Sequence, residues 1–239
     1  MPADAVLDDL RKVADDRVRP AGEDDVIGGA PARFVATPTS TDGTAELLRV
    51  AAHHGLHVVA RGAGTKQDWG LPPEAVDLLV DTTSLTGVVE HAAGDLVAVV
   101  RSGTRMNELQ ERLATAGQQL ALDTPLDAAT LGGTVATNTS GPRRLLYGTM
   151  RDLLIGITFV RADGVVARAG GKVVKNVAGY DFGKLLTGSY GTLGVITEVA
   201  LRLHPLPRAR QAVSVRTADG AADAEAALRV VRSLPVPRG

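Results

Sequence analysis

The feature that most constrains this chain is a glycine-rich stretch, residues 170–205. Six glycines precede a strand predicted to begin near Gly194, and they are Gly170, Gly171, Gly179, Gly183, Gly188 and Gly191. Glycine reaches positive φ without steric cost and lets the backbone come close to a ligand. Lys172, Lys175 and Asn176 lie between these glycines and add positive charge and an amide. This combination indicates a site for a large anionic ligand, with a glycine-rich β-connection and solvated lysines as the alternative.

A second glycine cluster, residues 61–70 (RGAGTKQDWG), follows a predicted buried strand at 56–60. It is not a Rossmann fingerprint, because Gln67 stands where that pattern requires its third glycine. Consecutive N–H groups in such a loop, together with the ammonium group of Lys66, can form a nest for a phosphate. A plain turn is the alternative interpretation.

A third cluster, residues 130–141 (TLGGTVATNTSG), consists almost entirely of small residues. We predict a short helix at 132–137. Its first turn is expected to offer free N–H groups and the positive end of the helix dipole to an anion. The small side chains also allow the helix to pack against a flat, wide surface.

The order of the predicted elements indicates an α+β fold. A helix at 3–16 and a loop at 18–31 precede a strand–helix–strand unit, in which Thr41 is expected to cap the helix. This order predicts a small parallel sheet. Hairpin patterns after residue 87 predict a larger, mainly antiparallel sheet with helices.

These patterns predict three regions. Residues 1–26 form an N-terminal helix and lead-in, and residues 27–207 form the main domain, with subdomains at about 27–86 and 87–207. A strand at 211–216 and a helix at 221–233 cannot bury their apolar faces alone. Residues 208–239 are therefore interpreted as the incomplete start of a cap or substrate domain.

Composition excludes several classes of function. The chain has no cysteine, which excludes disulfides and cysteine-ligated iron–sulfur clusters within it, and its net charge of −1 provides no strong field for nucleic acid. The acidic N-terminus lacks the apolar core of a signal peptide, and no apolar run is long enough to span a bilayer. We expect a cytoplasmic protein without a metal site, with any membrane association arising through partners.

Taken together, the three glycine segments resemble the FAD-binding (PCMH-type) domain of the vanillyl-alcohol oxidase and p-cresol methylhydroxylase flavoproteins. The segment KVVKNVAGYDFGKLLTGSYGTLGVITEV is similar to the signature of the FAD-binding E-type subunit of bacterial glycolate oxidase, a relative of the D-lactate dehydrogenase flavoproteins. The resemblance covers roughly residues 27–207.

The resemblance implies which residues bind FAD. The loop that wraps the pyrophosphate corresponds to Arg61, Gly62, Ala63, Gly64, Thr65 and Lys66. The helix and turn beneath the pyrophosphate and isoalloxazine correspond to Thr130, Gly132, Gly133, Thr137, Ser140 and Gly141. The backbone that meets the ribityl–adenine end corresponds to Gly194, Val195 and Ile196, and Lys175 and Asn176 are expected near the flavin ring. Some relatives tether FAD through His or Cys, but Lys66 and Gln67 stand where that His would lie, so we predict non-covalent FAD.

The function implied is that of an FAD-dependent oxidoreductase resembling glycolate and lactate dehydrogenases. The flavin would accept electrons from a small 2-hydroxy acid and pass them on within a complex, with a paralogous flavoprotein and an iron–sulfur subunit as the expected partners. A non-catalytic redox or scaffold subunit is one alternative, and another FAD-dependent oxidoreductase on the same fold is a second. No catalytic base is assigned, because the family places its substrate-facing residues in the domain that follows residue 207.

Overall fold

The computed structural model describes residues 3–123, 126, 128–171, 180–209 and 220–233. The chain divides into two compact units, Met1–Leu206 and Pro207–Gly239. The first unit contains two five-stranded sheets, a two-stranded sheet and the cavity described in the next subsection.

The amino-terminal part of the first unit is a mixed sheet with a parallel centre and two helices. Its elements are α1 (Ala3–Ala14), β1 (Val18–Pro20), β2 (Val26–Ile27), β3 (Ala30–Ala36), α2 (Thr41–His53), β4 (Val58–Arg61) and β5 (Val76–Asp81). The strand order is β1-β3-β5-β4, and β2 pairs with β3. Strands β3 and β4 run parallel to β5, whereas β1 and β2 are antiparallel to β3. The predicted parallel sheet is thus confirmed.

The two helices cover one face of this sheet. Successive side chains of a strand point to opposite faces, so alternate residues of β3 and β5 enter different cores. Phe34 and Leu78 pack in one buried cluster with Leu10 of α1 and Leu47 of α2, whereas Leu79 belongs to a separate cluster. The helices and strands therefore form a packed base from which the loop after β4 projects.

Two local predictions were wrong. Residues 18–31 are not a loop throughout, because β1, β2 and the first residues of β3 lie there. These are short strands, and β1 ends in Pro20 at the sheet edge, where proline is tolerated, so they lack a long alternating pattern. The cap of α2 is Ser40 rather than Thr41, since Ser40 Oγ accepts the N–H of Gly43 at 3.0 Å.

The rest of the first unit is built on an antiparallel sheet. Its elements are β6 (Val88–Ala92), β7 (Val97–Arg101), α3 (Met106–Ala114), β8 (Gln118–Gln119), α4 (Leu131–Thr137), α5 (Arg144–Tyr147), α6 (Met150–Leu153), β9 (Leu154–Val160), β10 (Val166–Gly170), α7 (Phe182–Leu186), β11 (Val195–Arg202) and β12 (His204–Pro205). The large sheet has the order β10-β9-β11-β7-β6 with antiparallel pairing throughout, and β12 pairs with β8. The prediction of a larger antiparallel sheet is confirmed.

Helices α3 and α4 pack on this second sheet. Leu109 of α3 and Val135 of α4 are fully buried with Phe159 of β9 and Leu201 of β11 in one apolar cluster. This packing fixes α4, whose small residues face the cavity described below.

In the second unit the described element is α8 (Gly220–Ser233). The predicted strand at 211–216 lies outside the described residues, and the assignment of 208–239 to a separate substrate domain stays a prediction. Within the described ranges, no helix is both long and apolar enough to cross a bilayer.

Candidate functional site

A cavity of about 670 Å³ opens where the two five-stranded sheets of the first unit meet. This volume lies within the range of about 300–1,000 Å³ that is usual for small-molecule sites. Three segments supply most of its lining: the loop after β4, helix α4 with its cap, and the segment that leads into β11. The predicted site residues among the lining are Arg61, Gly62, Ala63, Gly64, Thr65, Lys66, Thr130, Gly132, Gly133, Thr137, Gly194, Val195 and Ile196.

Four predicted residues are not part of this lining. Lys175 and Asn176 lie outside the described residues. Ser140 is buried, and its Oγ donates to the carbonyl of Asn138 and accepts the N–H of Met150, both at 3.0 Å. Gly141 follows it in the turn after α4. In the structure Ser140 therefore fixes the connection between α4 and α6, and a contact of Ser140 or Gly141 with a ligand stays a prediction.

The loop after β4 presents a row of unused hydrogen-bond donors. Within the part of the chain that the structure describes, the N–H groups of residues 63–66 have no protein acceptor. Gly64 has a φ of +71°, and its carbonyl accepts the N–H of Gln67 at 3.4 Å, which closes a tight turn. Successive N–H groups around a left-handed residue form a concave anion site. The loop can therefore hold a phosphate through its backbone.

Lys66 supplies positive charge at the same loop. Its ammonium is partly buried, and this burial lowers the pKa of Lys66 below its usual value. Among the described residues no carboxylate pairs with it; its contacts are Thr65 Oγ1 at 3.4 Å and the Trp69 ring, whose centroid is 5.9 Å away. A desolvated ammonium without a counter-ion favours an anionic ligand, which would raise the pKa of Lys66 again.

Arg61 has a different role from Lys66. Its guanidinium donates to Asp25 at 3.3 Å and to Asp81 at 3.1 Å, so the protein itself neutralises this charge. Asp25 is buried and also accepts a hydrogen bond from Arg19 at 2.7 Å. This hydrogen bond, followed by the one from the N–H of Gly22, lowers the pKa of Asp25 to about 2. Arg61 therefore contributes backbone to the cavity, while its side chain anchors the base of the loop.

The expectation of free N–H groups at the start of α4 was wrong. The N–H of Leu131 donates to the Thr104 carbonyl at 2.9 Å, and that of Gly132 donates to the Ser102 carbonyl at 2.7 Å. The N–H of Gly133 donates to Thr130 Oγ1 at 3.3 Å, which is the helix cap. These donors are used within the protein because the helix packs directly on the connection between β7 and α3.

Sequence reasoning missed part of the cavity. The segment before β11 contributes Ser189, Tyr190, Gly191 and Thr192 to the lining, and the loop after β4 extends through Trp69 to Leu71. The glycines at 188 and 191 were a usable signal, but they did not show which neighbouring side chains face the cavity. Ser189 Oγ is buried without a hydrogen-bond partner among the described residues, so it is available to a bound ligand.

These groups fit a dinucleotide. Free amides and an unpaired ammonium suit a pyrophosphate, an unpaired hydroxyl suits a polyol, and half-exposed aromatic rings suit planar bases. Fold and site together define an α+β nucleotide-binding domain of the flavoprotein kind. That FAD is held without a covalent bond stays a prediction.

Comparison with known proteins identifies the family. A family model described as "FAD binding domain" matches residues 32–170, more than half of the chain. The chain therefore belongs to this FAD-binding domain family, and its cofactor is FAD.

Two curated relatives and one solved structure illustrate the similarity. The glycolate oxidase subunit GlcE of Escherichia coli is 39% identical over 154 residues, which cover 64% of this chain and 43% of that protein. The D-lactate dehydrogenase of Archaeoglobus fulgidus is 34% identical over 174 residues, covering 73% and 39%. An alkyldihydroxyacetonephosphate synthase structure has the same fold, with a TM-score of 0.72, 22% identity, and coverage of 87% of this chain and 42% of that one.

These matches confirm the resemblance to the glycolate oxidase flavoprotein subunits. The chain spans about two fifths of the length of the curated relatives that it matches.

Proposed function

We propose that this chain is the FAD-binding part of a dehydrogenase for small 2-hydroxy acids, of the glycolate and D-lactate type. The observation that carries the proposal is the cavity with four free backbone N–H groups and an unpaired lysine among the described residues. It lies in a chain that is 39% identical to a glycolate oxidase subunit over 154 residues. FAD, when bound, supplies a ring that accepts two electrons from the carbon bearing the substrate hydroxyl.

The residues of this chain would hold and orient the cofactor. The N–H groups of residues 63–66 would donate to the pyrophosphate, and Lys66 would balance its charge. Ser189 Oγ would find a partner among the cofactor's polar atoms. On α4, the absence of a side chain at Gly133 and the small side chains of Ala136 and Thr137 leave room for a flat group to lie close to the helix.

The residue composition of the cavity lining favours a second function. Among the lining residues that the structure describes, the ionisable side chains are Arg61, Lys66 and Tyr190, with no histidine or carboxylate. A general base must lie within hydrogen-bond reach of the proton that it removes. The alternative is therefore an FAD-holding redox subunit that depends on a paralogous flavoprotein for the substrate pocket.

In either case we propose electron transfer to an iron–sulfur partner. The chain contains no cysteine, and iron–sulfur clusters are held by cysteine thiolates. A cluster that accepts electrons from this flavin would be held by residues outside this sequence.

The test starts with the absorption spectrum of the purified full chain, followed by heat denaturation. Flavin bands, with free FAD released into the supernatant, support the cofactor assignment and the absence of a covalent link. Flavin that stays with the precipitate contradicts the non-covalent prediction. A colourless chain that also fails to bind added FAD contradicts the proposal.

An anaerobic titration of the FAD-loaded chain then separates the two functions. Bleaching by glycolate or D-lactate supports the dehydrogenase. Bound flavin that neither acid bleaches supports the redox subunit. Bleaching by NADPH, with no response to either acid, contradicts both and supports a different FAD oxidoreductase.

A further inference from the structure

Tyr190 has an unusual backbone conformation for a bulky residue. Its φ is +56°, in the left-handed region that side chains other than glycine rarely adopt. Gly188 and Gly191, on either side, have φ values of +80° and +77°. Two of the left-handed positions in this segment are therefore glycines, whereas position 190 between them is a tyrosine. Because residues held in such conformations concentrate at functional sites, the tyrosine side chain calls for an explanation.

Hydrogen bonds hold this segment against α4. The N–H of Gly188 donates to the Val135 carbonyl at 3.0 Å, and the N–H of Tyr190 donates to the Ala136 carbonyl at 2.9 Å. The position of Tyr190 is therefore fixed by backbone contacts that do not involve its ring. Any residue able to adopt the left-handed conformation could make the same contacts.

Within the described ranges, the Tyr190 ring makes no hydrogen bond, ring contact or cation–π contact. Tyr190 lines the cavity, and the residue is 52% exposed. Trp69 lines the same cavity and is 46% exposed. The chain has seven aromatic residues other than histidine in all, so two half-exposed rings in one cavity are a notable share. Aromatic rings of this kind stack on planar bases.

We propose that Tyr190 is a positioning residue that stacks on a planar ring of the bound dinucleotide. This inference rests on the proposed function, because it requires a nucleotide in the cavity. In the proposed function the backbone contacts the phosphates of the cofactor. The inference adds a contact between the Tyr190 side chain and a ring of the cofactor. The ring is either the adenine or the isoalloxazine, and the experiment distinguishes these.

The experiment measures dissociation constants of the full chain for FAD, FMN and ADP, together with Tm without ligand. The key variant is Tyr190→Gly, because glycine adopts the left-handed conformation without strain and removes the ring. We expect FAD binding to weaken about tenfold, while Tm stays within about 2 °C of the wild type. Tyr190→Phe keeps the ring and should bind FAD within about twofold of the wild type.

A weakened ADP affinity in Tyr190→Gly identifies the adenine as the stacking partner, and a weakened FMN affinity identifies the isoalloxazine. Tyr180→Gly is the matched control, since Tyr180 is 89% exposed and is not among the described lining residues. It should leave all three affinities unchanged.

Unchanged affinity of Tyr190→Gly for all three ligands overturns the inference and leaves the proposed function intact. A large fall in Tm for both Tyr190 variants also overturns it, because the ring would then serve the fold. Wild-type protein that binds none of the three ligands overturns the proposed function and this inference together.

Discussion

The loop after β4 and the start of α4 are both rich in glycine and threonine, and both line the same cavity, yet their backbones are used differently. In the loop, the N–H groups of residues 63–66 have no acceptor among the described residues. At the start of α4, the N–H groups of Leu131, Gly132 and Gly133 all donate within the protein. The N–H groups of the loop are therefore free to bind a ligand, whereas those at the start of α4 are used in packing within the protein.

The glycines of the two segments differ in the same way. Gly64 has a φ of +71°, and a Cβ there would meet no atom closer than 3.9 Å. A Cβ on Gly132 would lie 2.8 Å from Ser102 Cβ. Glycine is thus needed in the loop for its backbone conformation and in the helix for close approach. Similar composition in two segments does not by itself tell a binding site from a packing contact.

The largest effect is expected from Gly64→Val. A β-branched residue is strongly disfavoured at positive φ, so the loop would leave its conformation and its N–H groups would no longer converge. We expect FAD affinity to fall by at least about 100-fold, or about 2.7 kcal/mol. The measurements are the flavin content of the purified protein and the dissociation constant for added FAD.

Gly117→Val is the matched control for this variant. Gly117 has a φ of +67°, a Cβ added there would meet no atom within 4 Å, and the residue does not line the cavity. The substitution introduces the same backbone strain at a different place, so it should reduce stability without changing FAD affinity. If Gly64→Val retained a full complement of flavin, the phosphate would not lie on this loop.

The next largest effect is expected from Gly132→Ala in α4, which should lower the stability of the folded protein. The added methyl group would press on Ser102, and overpacking of this kind costs about 1–3 kcal/mol. For a chain of this size, a loss of about 2 kcal/mol lowers Tm by about 4–8 °C. Thermal unfolding without ligand is the measurement.

Gly133→Ala serves as the comparison for Gly132→Ala. Its Cβ would lie 3.2 Å from Thr130 Oγ1, a side-chain atom that can shift slightly, so we expect a change below about 1 kcal/mol. A Gly132→Ala protein with normal Tm but no FAD binding would instead give the start of α4 a direct role in binding.

The sequence predicted the outline of the site because glycine spacing reports where the backbone turns tightly or approaches a neighbour. Glycine spacing pointed to the clusters at 61–70 and 130–141, the family resemblance added residues 194–196, and the structure brings most of the residues selected in these two ways to one cavity. Hydrogen-bond partners could not be predicted in the same way. Ser102 and Thr104 occupy the donors of α4 from about 30 positions away in the sequence, which only the tertiary fold determines.

Charge was equally hard to interpret from the sequence. Arg61, the last residue of β4, and Lys66, in the loop that follows, were both predicted to lie in the segment that wraps the pyrophosphate. Asp25, in the connection between β1 and β2, takes up the charge of Arg61 although it lies far from the loop in the sequence. Lys66 has no such partner among the described residues, so it carries the unpaired positive charge of the loop.

The smallest of the three effects is expected from Lys66→Met, which tests this difference in charge. Removing the ammonium while keeping much of its apolar stem should weaken FAD binding about tenfold, or about 1.4 kcal/mol, at neutral pH. Lys184→Met is the control, because Lys184 is exposed and pairs with Asp181 at 3.1 Å. That variant should bind FAD as the wild type does.

The pH dependence of Lys66→Met gives the sharper result, because binding and stability should respond in opposite directions. Burial lowers the pKa of Lys66 in the folded protein from its usual 10.5, so the unfolded chain holds the extra proton between the two values. Without ligand, the lysine's contribution to stability therefore rises with pH across that interval. FAD affinity should fall as pH increases through the lowered pKa, since the phosphate needs the charged form. Both trends, taken as differences between the wild type and Lys66→Met, should be measurable by thermal unfolding and by FAD titration. If the two proteins show the same pH dependence of FAD affinity, the lysine does not face the phosphate, and the backbone N–H groups alone distinguish the loop from the start of α4.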